Sequence, residues 1–266
     1  MKTFKVACFM LGMVSLGMGS AWGDPAANLV LRLAFDGDDG AIAMDSSGSG
    51  NNGTYVGAGL AADANGGQIA TFDGQDDYIR IPSCSALMPA AVTVAAWVRF
   101  DSLPTEVAAL VCKRNASFSN NEDYAFQINS AGGVRFVLAN GIQTRLDSTE
   151  TMSAGAWHHV AATFSQPVMS VYVDGRLAGT ASHNYALAHN SAADLFLGAA
   201  DHESYPMESF ARGALDDVRI YDRALAADEI AELADVDPAE TPGPILHYTF
   251  DVDNGGIVVD DSGNGR

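Results

Sequence analysis

The chain has 266 residues, 48% of them hydrophobic, with 27 glycines, only 14 lysines and arginines, and a formal charge of −19. That length and apolar content suffice for one large β domain or two small ones, and they exclude a compositionally disordered chain. So acidic a surface repels phosphate backbones and anionic lipid, so nucleic acid is not an expected partner; solubility and cation binding are what it favours.

Residues 1–23 read as a signal peptide. Lys2 and Lys5 form a charged start, Val6 to Leu16 an apolar stretch short for a bilayer span, and Ala21-Trp22-Gly23 a small-residue cleavage site. Export is therefore expected, with no membrane insertion. After cleavage two cysteines remain, Cys84 and Cys112. Export permits a disulfide between them, with two buried free thiols as the alternative.

Strand signals then follow one another. Leu29 to Phe35 is an apolar run, and Tyr78-Ile-Arg-Ile alternates after Gly67 to Phe72. Val92 to Phe100, Val107 to Lys113, Tyr124 to Asn129 and Val134 to Ala139 continue the pattern, the last two flanking a glycine turn. Trp157 to Phe164 and Val168 to Val173 precede Asp174-Gly175, a type I′ turn candidate, and Arg176 to Thr180. Leu195 to Gly198 and Gly213 to Tyr221 complete the set. Many short strands with frequent turns predict an all-β, two-sheet antiparallel sandwich. Ala224 to Leu233 predicts one short C-terminal helix, with Leu225, Ile230 and Leu233 near one face.

The stretch from Leu31 to Gly50 returns without a gap as Leu246 to Gly265, keeping Phe-Asp, Asp, Gly, Ile, Asp and Ser-x-Gly at one offset. The expected organisation is a first module over 28–234, a Pro-rich acidic linker over 235–244, and the start of a second, truncated repeat over 245–266.

Five blocks in order carry a resemblance. They are Phe72-Asp-Gly-Gln-Asp-Asp-Tyr-Ile-Arg-Ile-Pro82, Val92-Thr-Val-Ala-Ala-Trp-Val98, Gly155-Ala-Trp-His-His-Val-Ala161, Val171-Tyr-Val-Asp-Gly175 and Gly213-Ala-Leu-Asp-Asp-Val-Arg-Ile-Tyr-Asp-Arg-Ala-Leu225. Together they resemble the LamG-like jelly-roll domain, a branch of the concanavalin A-like lectin/glucanase superfamily. The resemblance implies two antiparallel sheets curved into a jelly roll. It also implies, in many relatives, calcium at the sandwich rim and an extracellular glycan or protein as partner.

Calcium needs six to eight hard oxygens. The glycine-rich loops after Asp36 and Asp45 offer them, and related sandwiches bring such a loop beside the last strand. Asp36, Asp45 and Asp216 are thus the expected metal site, with Asp217 or Asn51 in support. A second acidic cluster, Asp73, Asp76 and Asp77, reads as a tight loop, with a second calcium site as the alternative. The Glu-x-Asp-x-x-Glu strand motif of the superfamily's retaining glucanases is missing, and no Ser-His-Asp arrangement in a nucleophile-elbow context occurs, so catalysis is not expected. His158 and His159 are neighbours on a strand and point to opposite faces. Trp97 and Trp157 lie in strand blocks expected to face the core. Phe118, Tyr124, Tyr185, Tyr205 and Phe210 are the exposed aromatic candidates, and the loop carrying Tyr205 and Phe210 is the expected ligand surface. The function expected is a non-catalytic module for binding or adhesion. A structural spacer repeat, or an accessory module of a carbohydrate-active enzyme, are the alternatives.

Overall fold

A computed structural model describes residues 27–63, 67–114, 122–189, 193–200 and 207–235. The leader, the repeat segment, all but the first residue of the linker, Phe118 and Tyr205 lie outside the described residues. Sixteen strands are found among those described: β1 (Leu29–Leu33), β2 (Ile42–Ala43), β3 (Gly53–Val56), β4 (Gly59–Ala62), β5 (Gln68–Asp73), β6 (Tyr78–Ile81), β7 (Val92–Phe100), β8 (Ala108–Arg114), β9 (Glu122–Ile128), β10 (Gly133–Ala139), β11 (Gln143–Thr151), β12 (His158–Ser165), β13 (Val168–Val173), β14 (Arg176–Ser182), β15 (Leu195–Leu197) and β16 (Arg212–Tyr221). One helix follows, α1 (Ala227–Leu233).

The strands form two antiparallel sheets, as predicted. The first runs β14-β13-β12-β7-β16-β5-β4, with β1 also paired to β16; the second runs β11-β10-β9-β8-β15-β6-β3-β2. Period-two alternation decides what lies between them. Val92, Val94, Ala96, Val98 and Phe100 of β7 and Val160, Ala162 and Phe164 of β12 face the core, where they meet Tyr124, Phe126 and Ile128 of β9 and Val134, Phe136 and Leu138 of β10. In β16 the pairing with β7 shifts between Asp216 and Arg219, and Asp217 adopts φ 45°. This bulge changes the parity of the strand, so Leu215 before it and Val218 and Ile220 after it all reach the core.

Strand β11 escaped prediction because it is an edge. Leu146 is its one fully buried residue, and the rest of Gln-Thr-Arg-Leu-Asp-Ser-Thr-Glu-Thr lacks a strong apolar face. Its work is to close the sandwich. The Thr149 hydroxyl donates to the Ala178 carbonyl of β14 at 2.9 Å, and Thr144 Oγ1 bonds His183 Nδ1 just beyond β14 at 2.8 Å.

Helix α1 begins later than expected, because Leu225 belongs to its lead-in. Thr93 pins that lead-in to β7: its hydroxyl donates to the Arg223 carbonyl and accepts from the Leu225 amide. Leu225 and Ile230 then bury against Ala95, Ala161, Tyr172 and Tyr221 on the outer face of the first sheet.

Two expectations are corrected here. Cys84 and Cys112 are both free thiols. Alternation along β8 is the cause. Cys112 points away from the sandwich interior into a cluster with Ala109, Ala125, Val137 and Ala200, while Lys113 turns the other way and bonds the hydroxyl of Ser83. Cys84 packs on the core side and its thiol donates to Asn51 Oδ1 at 3.1 Å. Tyr124, expected at an exposed edge, is wholly buried, with its hydroxyl on the Leu87 carbonyl.

Candidate functional site

Among the described residues, no three of the carboxylates predicted to bind calcium lie within 4.8 Å of one another. Asp45 accepts the amides of Arg32, Ser47 and Asn51 and the Ser47 hydroxyl, so both its oxygens serve its own loop. Burial pushes its carboxyl up, and these hydrogen bonds more than offset that, leaving its pKa lowered. Asn51 Nδ2 donates to the Val30 carbonyl. Asp36 accepts the Gln68 amide at the start of β5, and Asp216 accepts the Asp217 amide. Asp217 is bonded by Arg219 Nε at 3.0 Å, Arg219 Nη2 at 2.6 Å and Arg32 Nε at 2.8 Å. Burial raises its pKa and the two guanidiniums bring it below the ordinary value. The charge of Asp217 is thus already answered by two guanidiniums of the chain itself. The structure joins Asp45, Asn51 and Asp217 through β1, and it holds Asp36 on the Gln68 amide at the start of β5.

A different trio does come together. Oxygens of Asp73, Asp76 and Asp77 lie within 4.8 Å of one another. The loop is the tight turn the sequence suggests: Asp73 accepts the amide and side chain of Gln75, and Asp77 accepts the Asp73 amide at 2.7 Å. Asp77 is buried, and its pKa is raised by that burial and by the carboxylates of Asp73 and Asp76. Gly57 makes room for it, since a Cβ there would stand 2.3 Å from Asp77 Oδ1. The trio offers three of the six to eight hard oxygens that a calcium ion takes, at a place where like charges repel.

This loop borders a cavity at the end of the sandwich where β5 and β7 finish and β16 begins. A hollow of about 320 Å³ is lined by Phe100, Leu103, Thr105, Glu106, Phe210 and Arg212, among others. A second hollow, lined by Asp73, Gln75 and Asp101, shares Gly74 and Arg212 with it. The predicted ligand residue Phe210 is thus half-buried in a cavity wall. Leu103 adds apolar surface, and Arg212, Asp101 and Glu106 supply hydrogen-bonding groups around it.

Both tryptophans depart from expectation. Core-facing Ala96 and Val98 flank Trp97, which therefore points to the outer face, its ring edge-on to His159 at 5.5 Å. Trp157 is half-buried at the strand end, with the Arg99 guanidinium 5.2 Å from its ring centre. His159 is buried, which pushes its pKa down to about 3. His158 points to the opposite side, as its place on the strand predicts.

Ser153, His158 and Asp174 come together at this same end, outside any nucleophile-elbow context. Ser153 Oγ lies 3.0 Å from His158 Nε2, and His158 Nδ1 lies 2.8 Å from Asp174 Oδ2. The Asp174-Gly175 turn, with φ of 48° and 76°, is the predicted hairpin corner. It folds the Asp174 carboxylate back onto β12, where Oδ1 also accepts the His159 amide. No motif signals this grouping, because Ser153 precedes β12 without an elbow and Asp174 reads as a turn residue.

Comparison with known proteins accords with this architecture. No curated protein matches the chain. Among solved structures, domain 4 of AbnA, a GH43 extracellular arabinanase from Geobacillus stearothermophilus, in complex with arabinotriose, superposes with a TM-score of 0.60 at 21% identity, covering 78% of this chain and 98% of that domain. The binding domain of Paraclostridial Mosquitocidal Protein 1 gives 0.62 at 16% identity, covering 85% of this chain and 55% of that one. The binding domain of Botulinum Neurotoxin DC in complex with SialylT gives 0.62 at 13% identity, again covering 85% and 55%. This chain therefore spans only about half of either toxin domain, and at these identities the likeness is one of fold. A family model matches residues 73–231, more than half of the sequence, and the chain belongs to the concanavalin A-like lectin/glucanases superfamily.

Proposed function

We propose that this chain is an exported carbohydrate-binding domain that holds its ligand in the cavity between Phe100, Leu103, Phe210 and Arg212. The observation that carries this reading is the cavity itself, which sets apolar wall beside charged edges. Sugar rings present C–H faces that suit Phe210 and Leu103, and hydroxyls that suit Arg212, Asp101 and Glu106. Structural neighbours solved with arabinotriose and with a sialylated ligand support a saccharide as the ligand class. The likeness to a domain of an arabinanase supports a role as an accessory module that brings a larger glycan-acting protein to its substrate.

In the same reading Asp73, Asp76 and Asp77 hold calcium. The ion, when bound, neutralises the repulsion among these carboxylates and fixes the loop that forms the cavity's acidic border. The chain's own groups do the binding of sugar, and the loop sets their positions.

Calorimetric titration with arabino-oligosaccharides and sialylated oligosaccharides, at millimolar calcium, tests the proposal. Phe210→Ala and Arg212→Ala are each expected to weaken the best ligand at least about tenfold, roughly 1.4 kcal/mol. Silence across both saccharide classes, with and without calcium, favours a structural spacer instead.

A further inference from the structure

We propose that Ser153, His158 and Asp174 form a nucleophile, a base and an orienting acid that cleave ester bonds. The reading rests on geometry. A serine hydroxyl 3.0 Å from an imidazole nitrogen, and a carboxylate 2.8 Å from the other nitrogen, meet the reach required for an activated nucleophile.

The structure also fixes the tautomer. The Ser153 amide approaches His158 Nε2 at 3.1 Å. A backbone N–H can only donate, so Nε2 is the acceptor and the ring proton sits on Nδ1, facing Asp174. This is the form in which Nε2 can take the hydroxyl proton. Asp174 is held on β12 by its own amide on the His159 carbonyl at 2.7 Å and by the His159 amide on Oδ1. The His158 side chain is only 15% exposed, which restrains the ring, whereas Ser153 is exposed and open to a substrate.

The step balances without a cofactor. Ser153 Oγ adds to the ester carbonyl carbon and its proton passes to His158 Nε2. The alcohol leaves with that proton, giving an acyl-serine. Water, deprotonated by the same nitrogen, cleaves the acyl-serine to carboxylic acid and restores the hydroxyl. The Gly155 amide of the serine turn donates to the carbonyl of Phe100, a residue at the cavity wall. An O-acylated saccharide seated in that cavity is thus the substrate class the placement favours. The substrate class rests on the binding proposal; the serine's reactivity does not.

A fluorophosphonate probe, read by intact mass and peptide mapping, tests the reactivity without any glycan. Labelling at Ser153 is expected, lost in Ser153→Ala, and slowed on the order of 10²-fold in His158→Gln. Ser153→Ala leaves the His158–Asp174 pair in place, and a melting temperature near that of the parent shows that it folds. Hydrolysis of 4-nitrophenyl acetate is expected to fall in Ser153→Ala and His158→Gln, and Asp174→Asn to lower it. No labelling of the parent protein, or labelling whose rate is unchanged in His158→Gln, overturns the proposal. Acetate release from O-acetylated oligosaccharides is expected to vanish in Ser153→Ala and to drop in Phe210→Ala; release indifferent to Phe210 overturns the placement of the substrate in the cavity.

Discussion

The seam between β1 and β16 and the loop between β5 and β6 carry the same side chain to opposite ends. At the seam, Asp217 meets Arg32 and Arg219, and Asp45 meets three amides and a hydroxyl, so each negative charge is answered by the protein. In the loop, Asp73, Asp76 and Asp77 meet one another. The pKa shifts follow this division: Asp217 and Asp45 are lowered, and Asp77 is raised. An acidic cluster in a sequence is therefore a metal candidate only where folding brings it no cation of its own.

Breaking the seam should cost most. Asp217→Ala leaves the largely buried guanidinium of Arg219 without its bidentate partner and unties β1 from β16. A loss of about 3 kcal/mol in denaturant unfolding is expected, because removing one member of a buried pair strands the other charge. Calcium should not restore it. A loss below about 1 kcal/mol would mean that the pair behaves like an exposed ion pair and that the contrast with the loop is overstated.

The loop should respond the other way. Calcium at about 100 times its dissociation constant is expected to stabilise the parent protein by about 2.7 kcal/mol, and Asp77→Asn to abolish most of that gain. In the absence of calcium, the same substitution should leave stability unchanged or raised, since it removes a repelled charge. Thermal melts with calcium and with a chelator check both arms. A calcium shift that persists in Asp77→Asn but disappears in Asp45→Asn would return the metal to the seam.

The smallest effect is on pH dependence, and its sign separates the two regions. A carboxyl with a raised pKa binds its proton more tightly in the folded protein. Asp77 therefore favours folding fully below the unfolded value of 3.8, and this contribution is lost as pH rises through the raised value. Asp217 does the reverse: its contribution is present above 3.8 and is lost as pH falls through its lowered value. In calcium-free buffer, Asp77→Asn should flatten the decline of stability above pH 3.8. Asp217→Asn should remove a loss below it. Unfolding curves across that range read both.

Much of the architecture was legible. Apolar blocks marked β7, β12, β13 and β16 as strands, Asp174-Gly175 marked the hairpin, and Leu225, Ile230 and Leu233 marked the helix that covers the first sheet. Trp97 was misplaced because its strand is apolar on both faces: Ala95 and Trp97 serve the outer surface while Val94, Ala96 and Val98 serve the core, and an unbroken apolar run does not say which is which. Of the candidate site, Phe210 could be named in advance because an aromatic in a long polar loop is conspicuous, and it lines the cavity. Ser153 was not, because its significance depends wholly on a histidine five residues on and on a carboxylate from the next hairpin.

By itself, then, the sequence determined the layers: period-two apolar alternation and Gly- and Asp-bearing turns leave a two-sheet sandwich as the way to bury so many apolar residues. Tertiary structure alone decided which charges meet. Whether Asp217 faces arginines or other acids depends on the bulge in β16 and on β1, whose Arg32 lies 185 residues away in the chain. Cys112 faces away from Cys84 for the same kind of reason, since strand parity sets direction and sequence distance does not. Electrostatic contacts act over a few ångströms, and only the paired sheets bring their partners that close.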